Sequence, residues 1–289
     1  MDLKIIEKIQ KIAITAMFSD DEFLEKLSLK GGNAMDLIHK ISSRASIDLD
    51  FSICTDFEVS NLKKIETRIH TLLINAFKEE GLIIIDFKFE KKPKIANTEN
   101  EDFWGGYFIS FKVIEESKYN EYSNDINTLR RRTIVIGTQQ KKTFRIDLSK
   151  FEYCDPREEI EFNGLTIYCY SPEMIMFEKL RALCQQTDEY KKVVKSMTKR
   201  ARAKDFFDIF VIMKSRYINI NKKENIDLLK KIFKAKKVPL ELIHKIKNDF
   251  EFHESDFESL RDTIKPGFEL KSFKYYFDYV LDKFENIKT

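Results

Sequence analysis

The sequence predicts an α+β protein, with a mixed sheet and covering helices in residues 1–170 and a helical unit in residues 171–289. Three observations carry that prediction. Residues before Tyr170 interleave 3.6-residue and two-residue hydrophobic periods, the mark of helices packed on a sheet. At Ser171-Pro172-Glu173 a capping side chain, a proline suited to the first turn and an early acid announce a helix, and helical spacing dominates afterwards. With 289 residues, 43% hydrophobic and 25 of them Phe, the chain can fill one large core or two modest ones.

Ile5, Ile9, Ile12 and Ala16 fall on one stripe of a helix over 1–17, and a short acid-started helix follows over 20–26. Gly31-Gly32 launches a helix over 33–40, and the strand over 47–53 alternates Asp48 and Asp50 with Leu49 and Phe51. Leu62, Ile65, Ile69, Leu73 and Phe77 recur at helical spacing and should cover one sheet face. Strands rich in β-branched and aromatic residues are expected over 82–89, 104–114, 132–136, 143–148 and 165–170, joined by polar loops over 90–102 and 115–129. Helices are expected over 172–186, 199–216, 222–235, 239–248 and 269–284.

Charge excludes little, because 51 Lys and Arg nearly balance 48 Asp and Glu. Basic residues nevertheless cluster at Arg130-Arg131-Arg132 and from Lys191 to Lys204, either as solvated helix faces or as a surface for phosphate or RNA. Cys54, Cys154, Cys169 and Cys184 are scattered without CxxC spacing, which argues against a disulfide framework or a zinc site. The four histidines lack ligand spacing as well, and no chemistry is assigned to them. Charges interrupt the N-terminal stripe, excluding a secretory leader, and the longest apolar run, 82–85, is far short of the ~20 residues that span a bilayer. A soluble, cytoplasmic protein without membrane partners is expected.

The chemistry concentrates in Lys30-Gly31-Gly32-Asn33 and, one helix later, Ser46-Ile47-Asp48-Leu49-Asp50-Phe51. Two glycines let backbone approach a ligand, and a helix opening there presents free N–H groups to an anion such as a triphosphate. Strand alternation sends Asp48 and Asp50 to one face, where two carboxylates can bridge Mg²⁺ ions completed by phosphate oxygens. Two like charges on an apolar strand are costly without cations, which favours a metal site.

Gly-Gly, a helix, then alternating hydrophobic and Asp residues resembles the signature of the DNA polymerase β-like nucleotidyltransferase superfamily. Lys30-Gly31-Gly32-Asn33-Ala34 with Arg44-x-Ser46-x-Asp48-Leu49-Asp50-Phe51 is similar to the AbiEii/AbiGii toxin family of abortive-infection systems, with Asn33 where that family more often shows Thr or Ser. Glu178-Lys179-Leu180-Arg181-Ala182 resembles the family's Glu-Lys-Leu-x-Ala element, and Arg202-x-x-Asp205-x-x-Asp208 its Arg-x-x-Asp-x-x-Asp element. The resemblance runs from Leu29 to Met213 and leaves the last helices unmatched.

That resemblance implies a minimal nucleotidyltransferase core followed by a helical domain. It implies Mg²⁺ or Mn²⁺ at Asp48, Asp50 and a third carboxylate, for which Asp147 is the best candidate and Asp86 and Asp155 the alternatives. It further implies nucleotide binding by Lys30, Gly31, Gly32, Asn33, Ser46, Lys179 and Arg181. Asp205 would either orient Lys179 or activate the acceptor hydroxyl. The implied biology is a toxin of a bacterial toxin–antitoxin pair, with an NTP as substrate, the 3′ end of tRNA or another RNA as acceptor, and an antitoxin encoded nearby. A transferase acting on a small hydroxylated molecule, or a non-catalytic NTP- or RNA-binding module of the same fold, are the rival readings.

Overall fold

The computed structural model describes residues 2–94, 100–137, 140–285 and 287. The first half contains helices α1 (Leu3–Phe18), α2 (Asp21–Lys26) and α3 (Gly31–Asn33, continuing as a π-helical turn over Ala34–Ile38), then α4 (Leu62–Glu79), α5 (Glu116–Glu121) and α6 (Ile126–Arg132). Interleaved with them are strands β1 (Leu27–Lys30), β2 (Leu49–Ile53), β3 (Leu82–Lys92), β4 (Gly106–Glu115), β5 (Thr143–Ser149), β6 (Arg157–Phe162) and β7 (Leu165–Tyr170). They form one seven-stranded sheet in the order β3-β4-β5-β2-β1-β7-β6. The β2–β5 and β1–β7 pairs are parallel and the other neighbours antiparallel, the mixed sheet expected of an α+β fold.

The faces of this sheet differ in chemistry. Leu49 and Phe51 of β2 share a face with Ile109 and Phe111 of β4, and Phe18 of α1 packs on Phe51 at 5.7 Å while Phe77 of α4 packs on Phe111 at 5.5 Å. Ile65, Ile69, Leu73 and Phe77 form the buried stripe of α4, as their i, i+4 spacing requires. The opposite face carries Lys30, Asp50 and Asp147.

After Tyr170 come α7 (Pro172–Cys184), α8 (Ala203–Arg216), α9 (Lys223–Ala235), a 3₁₀ segment over Leu240–Asp249, α10 (Phe250–Glu254), α11 (Phe257–Arg261) and α12 (Phe273–Phe284). Ser171 caps α7 by accepting from the Met174 N–H at 3.2 Å, with Pro172 in the first turn. Nearly all the buried apolar side chains of both halves belong to one cluster.

Several local expectations need correction. Strand β1 is buried at all four positions, so no alternation marked it, and β6, Arg-Glu-Glu-Ile-Glu-Phe, is a polar edge strand. Residues 115–129 hold α5 and α6, the latter capped by Asp125, which accepts from the N–H groups of Asn127 and Thr128. Residues 132–136 are not a strand: α6 ends at Arg132, and the extended chain after it makes single bonds from Ile134 N–H to Val113 O and from Ile136 N–H to Lys141 O, both 2.8 Å. The loop expected over 90–102 begins inside β3, and its residues 95–99 lie outside the described residues. The helix expected from Lys199 starts at Ala203, because the Arg200 and Arg202 N–H groups bond Gln186 Oε1 and His253 Nδ1 instead.

Candidate active site

Register builds the site. Lys30 of β1 pairs with Asp50 of β2, and Asp50 pairs with Asp147 of β5, so the three stand in one row across adjacent strands. Neighbouring strands lie about 4.8 Å apart, which brings the two carboxylates close. Asp48 lies one residue before β2 and lines the same cavity. Burial, reinforced by Asp147 and Asp48, pushes the Asp50 carboxyl up to about 6 even though Lys30 acts in the opposite direction. Two lysines attend the other acids: Lys141 reaches Asp48 at 3.1 Å and Lys92 reaches Asp147 at 2.5 Å. The alternatives for the third carboxylate are elsewhere: Asp86 on β3 is engaged by Arg130 and Lys112, and Asp155 is exposed outside the cavity.

The diglycine turn is fitted against this row. Gly31 has φ +70°, and a Cβ there would come within 2.7 Å of Asp50 Oδ2. A Cβ on Gly32 would come within 2.6 Å of Ser46 Oγ. Asn33 is turned inward: its Nδ2 donates to the Asp48 carbonyl at 2.7 Å, while its buried Oδ1 has no partner. Asn33 thus holds the Asp48 backbone and is absent from the cavity lining. Ser43 to Ala45, ahead of Ser46, hooks onto the helical half through bonds from Ala45 N–H to Thr263 O and from Lys265 N–H to Ser43 O.

Two buried ionic groups flank the row. In the first, Glu152 contacts Lys30 at 3.3 Å, Arg181 at 3.3 Å and Lys236 at 3.2 Å, and Glu178 contacts Lys30 and Arg181. Burial opposes the charge on Lys30, but Glu152 and then Glu178 outweigh it and raise the ammonium above its ordinary range. In the second, Asp208 receives Arg44 through two bonds of 2.8 and 2.6 Å and Lys179 at 2.6 Å. Asp205 receives Lys179 at 3.0 Å and Arg202 at 2.7 Å. Burial works against the Asp205 carboxylate, yet Lys179 and Arg202 hold it well below the usual range.

The open cavity between these groups has a volume of about 710 Å³ and is lined by Lys30, Gly31, Gly32, Ser46, Asp48, Asp50 and Asp147 from the sheet half and by Lys179, Arg181 and Asp205 from the helical half. Asn33, Asp208 and the alternative carboxylates Asp86 and Asp155 stay out of its lining. Among the described residues no three His, Cys, Asp or Glu side chains converge as a ready cage for a metal. Mg²⁺ seldom needs one, since it keeps waters and is held by one or two carboxylates plus substrate phosphates. Asp50 and Asp147 in register on neighbouring strands, with Asp48 lining the same cavity, form an open carboxylate set of the kind such an ion uses.

A model of the nucleotidyl transferase AbiEii toxin family, a type IV toxin–antitoxin system, matches residues 12–283. The chain belongs to this family. It is therefore a nucleotidyltransferase of the toxin class. Among solved structures it is similar to JHP933 from Helicobacter pylori, with 16% identity, coverage of 98% of this chain and 90% of that one, and a TM-score of 0.48. It is also similar to the nucleotidyltransferase toxin MenT4 from Mycobacterium tuberculosis H37Rv, with 12% identity, coverage of 97% and 82%, and a TM-score of 0.47. No curated protein matches the chain. No helix among the described residues of this AbiEii-family chain is long and apolar enough to cross a membrane.

Sequence reasoning missed most of the ionic scaffold. Arg44, Glu178 and Asp208 lie inside the quoted motifs, so their presence was visible, while the Arg44–Asp208 pairing and the place of Glu152 beside Lys30 and Arg181 required the fold. Lys92, Lys141 and Lys236 had no signal at all, being single lysines among 51 basic residues.

Proposed function

We propose that this chain transfers a nucleoside monophosphate from an NTP to the 3′-terminal hydroxyl of an RNA, with tRNA as the candidate acceptor, using Mg²⁺ or Mn²⁺ held by Asp48, Asp50 and Asp147. One observation carries the reading: Asp50 and Asp147 stand in register on neighbouring parallel strands, with Asp48 lining the same cavity and the diglycine backbone pressed against Asp50. The acceptor oxygen bonds to the α-phosphorus as its hydroxyl proton passes to water, the bond from that phosphorus to the bridging β-phosphate oxygen breaks, and pyrophosphate leaves. When bound, the divalent ion supplies charge neutralisation on the phosphates and lowers the pKa of the attacking hydroxyl.

The residues divide the remaining work. Gly31 and Gly32 bring the backbone to the triphosphate at the β1 end of the row, with Ser46 beneath them. Lys30, Lys179 and Arg181 provide positive walls. Asp205 is a poor base, because two cations stabilise its carboxylate, and its role is to hold Lys179 in place. Asn33 acts by fixing the Asp48 backbone. In this reading the sheet half, 1–170, carries the metal and diglycine elements, and the helical half, 171–289, contributes Lys179, Arg181 and Asp205 to the cavity.

Membership of a type IV toxin–antitoxin family suggests an antitoxin partner, which we place in a neighbouring reading frame, and a cytoplasmic site of action. The test incubates the protein with each labelled NTP, Mg²⁺, and either total tRNA or small hydroxylated acceptors. Label entering RNA, and lost in Asp48→Ala and Asp50→Ala, is the expected result. Label entering only small molecules would refute the RNA acceptor, and growth arrest undiminished in those variants would refute catalysis.

A further inference from the structure

A second cavity of about 590 Å³ adjoins the first, and Arg200 and Arg202 line both. Lys92, whose ammonium group bonds Asp147, lines its rim. It therefore opens on the Asp147 end of the carboxylate row, away from the diglycine turn. An attack in line with the departing pyrophosphate brings the acceptor from that end, so this cavity lies on the acceptor's path.

Its lining has the chemistry of a base pocket. Trp104 presents a partly exposed indole and Phe103 lies buried beside it. No Asp or Glu occurs among the described residues that line it. The glutamines in its wall are committed, since Gln185 donates to Tyr190 OH and accepts from Arg181, and Gln186 donates to Ala182 O and accepts from Arg200 N–H. Asn100 is not: only 9% exposed, it carries an Oδ1 with no hydrogen-bond partner. Arg202, on the shared wall, likewise has a buried Nε–H without a partner. An orphaned acceptor, an orphaned donor and an open aromatic face together match a planar group with hydrogen-bonding edges, and the basic rim suits a phosphate backbone.

We infer that this cavity receives the terminal nucleobase of the acceptor RNA, stacked on Trp104 and read by Asn100 Oδ1 through an N–H on the base edge. The inference rests on the RNA-acceptor reading above and adds the place where the strand end is held.

Trp104 is the single tryptophan of the chain, so its emission reports on the pocket directly. The probes are a short single-stranded oligoribonucleotide, the same strand with an abasic 3′ nucleotide, and Mg²⁺–NTP alone, each titrated into the full chain. The intact strand should quench Trp104 saturably. The abasic strand should bind about tenfold more weakly without quenching, a difference of about 1.4 kcal/mol. Asn100→Leu should weaken binding of the intact strand by a similar factor while raising KM for RNA and leaving KM for NTP unchanged. The bonds from the Phe103 and Trp104 N–H groups to Asn100 O are backbone ones, so the free variant should keep the parent's emission maximum.

If Mg²⁺–NTP quenches Trp104 and competes with RNA, the pocket holds the donor's own base and the inference is wrong. If intact and abasic strands bind and accept label equally, the inference fails while RNA remains the acceptor. If RNA neither quenches nor accepts label, both readings fall.

Discussion

Replacing Asp50 with Asn should make the protein more stable and inactive. The Asp50 carboxyl is raised from 3.8 to about 6, first by burial and then by Asp147 and Asp48. A carboxyl with a raised folded pKa binds its proton more tightly in the native state. Its favourable contribution is therefore complete below pH 3.8 and disappears as pH rises through about 6. At pH 7 the ionised group is a liability of at most about 3 kcal/mol, at 1.36 kcal/mol per unit. Because Asp50 is partly open to solvent, about 1–2 kcal/mol is the realistic figure. Unfolding entropy of about 2.1 cal/mol/K per residue over 289 residues converts that to a Tm gain of about 2–3 °C. Thermal unfolding of parent and Asp50→Asn from pH 4 to pH 8 is the assay. The gain should be largest above pH 7 and close towards pH 4, and Mg²⁺ should raise the Tm of the parent alone. A difference that stays constant with pH, or a variant less stable at pH 7, would refute the electrostatic account of the row.

Gly31→Ala places a Cβ 2.7 Å from Asp50 Oδ2 at φ +70°; it should cost about 1–2 kcal/mol and abolish transfer, read by denaturant unfolding and label incorporation. Lys179→Met leaves Asp205 and Asp208 short of a cation and should cost about 3 kcal/mol or more, whereas Lys179→Arg should recover most of the stability in the same unfolding assay. Asp86→Asn removes a carboxylate that its hydrogen bond to Arg130, more than any other contact, lowers to about 2; the stabilisation is present above pH 3.8 and lost as pH falls through 2. Its loss should cost about 1–2 kcal/mol at pH 7 without affecting transfer, whereas Asp147→Asn should abolish transfer.

What the sequence revealed and what it concealed have physical reasons. Asp48 and Asp50 stood out because a strand flanked by Leu49 and Phe51 offers acids no reason to be there except chemistry. Asp147 was legible as a polar residue between Ile146 and Leu148, but its pairing with Asp50 is a register fact created by the parallel β2–β5 crossover. β1 was invisible because a central strand buried on both faces loses its period. The role of Asn33 was misleading from spacing alone: the residue follows a phosphate-type turn, yet its amide turns back to the Asp48 carbonyl. The basic stretch from Lys191 to Lys204 is not one helix face, since residues 193–202 lie outside any helix. Lys191 and Lys199 pair with Asp188 and Asp249, while Arg200 and Arg202 face the cavities.

The charge layout says why such a costly arrangement persists. Lys30, Arg181 and Lys236 outnumber Glu152 and Glu178, and Arg44, Lys179 and Arg202 outnumber Asp205 and Asp208, so each buried group keeps one cation in excess. Along the row Asp48, Asp50 and Asp147 meet Lys141, Lys92 and, at the β1 end, Lys30, which is shared with the first buried group. Buried charge is costly even when paired, so stability alone does not account for this concentration of ionised side chains. The proposed polyphosphate with its divalent ion would suit both signs of charge, its oxygens meeting the cationic walls and its metal the aspartates. If the second cavity is the acceptor's path, its rim of Lys92, Arg200 and Arg202 would favour an anionic strand end over a cationic small acceptor. On the proposed reading, the same layout would favour two anionic substrates, one on each side of the carboxylate row.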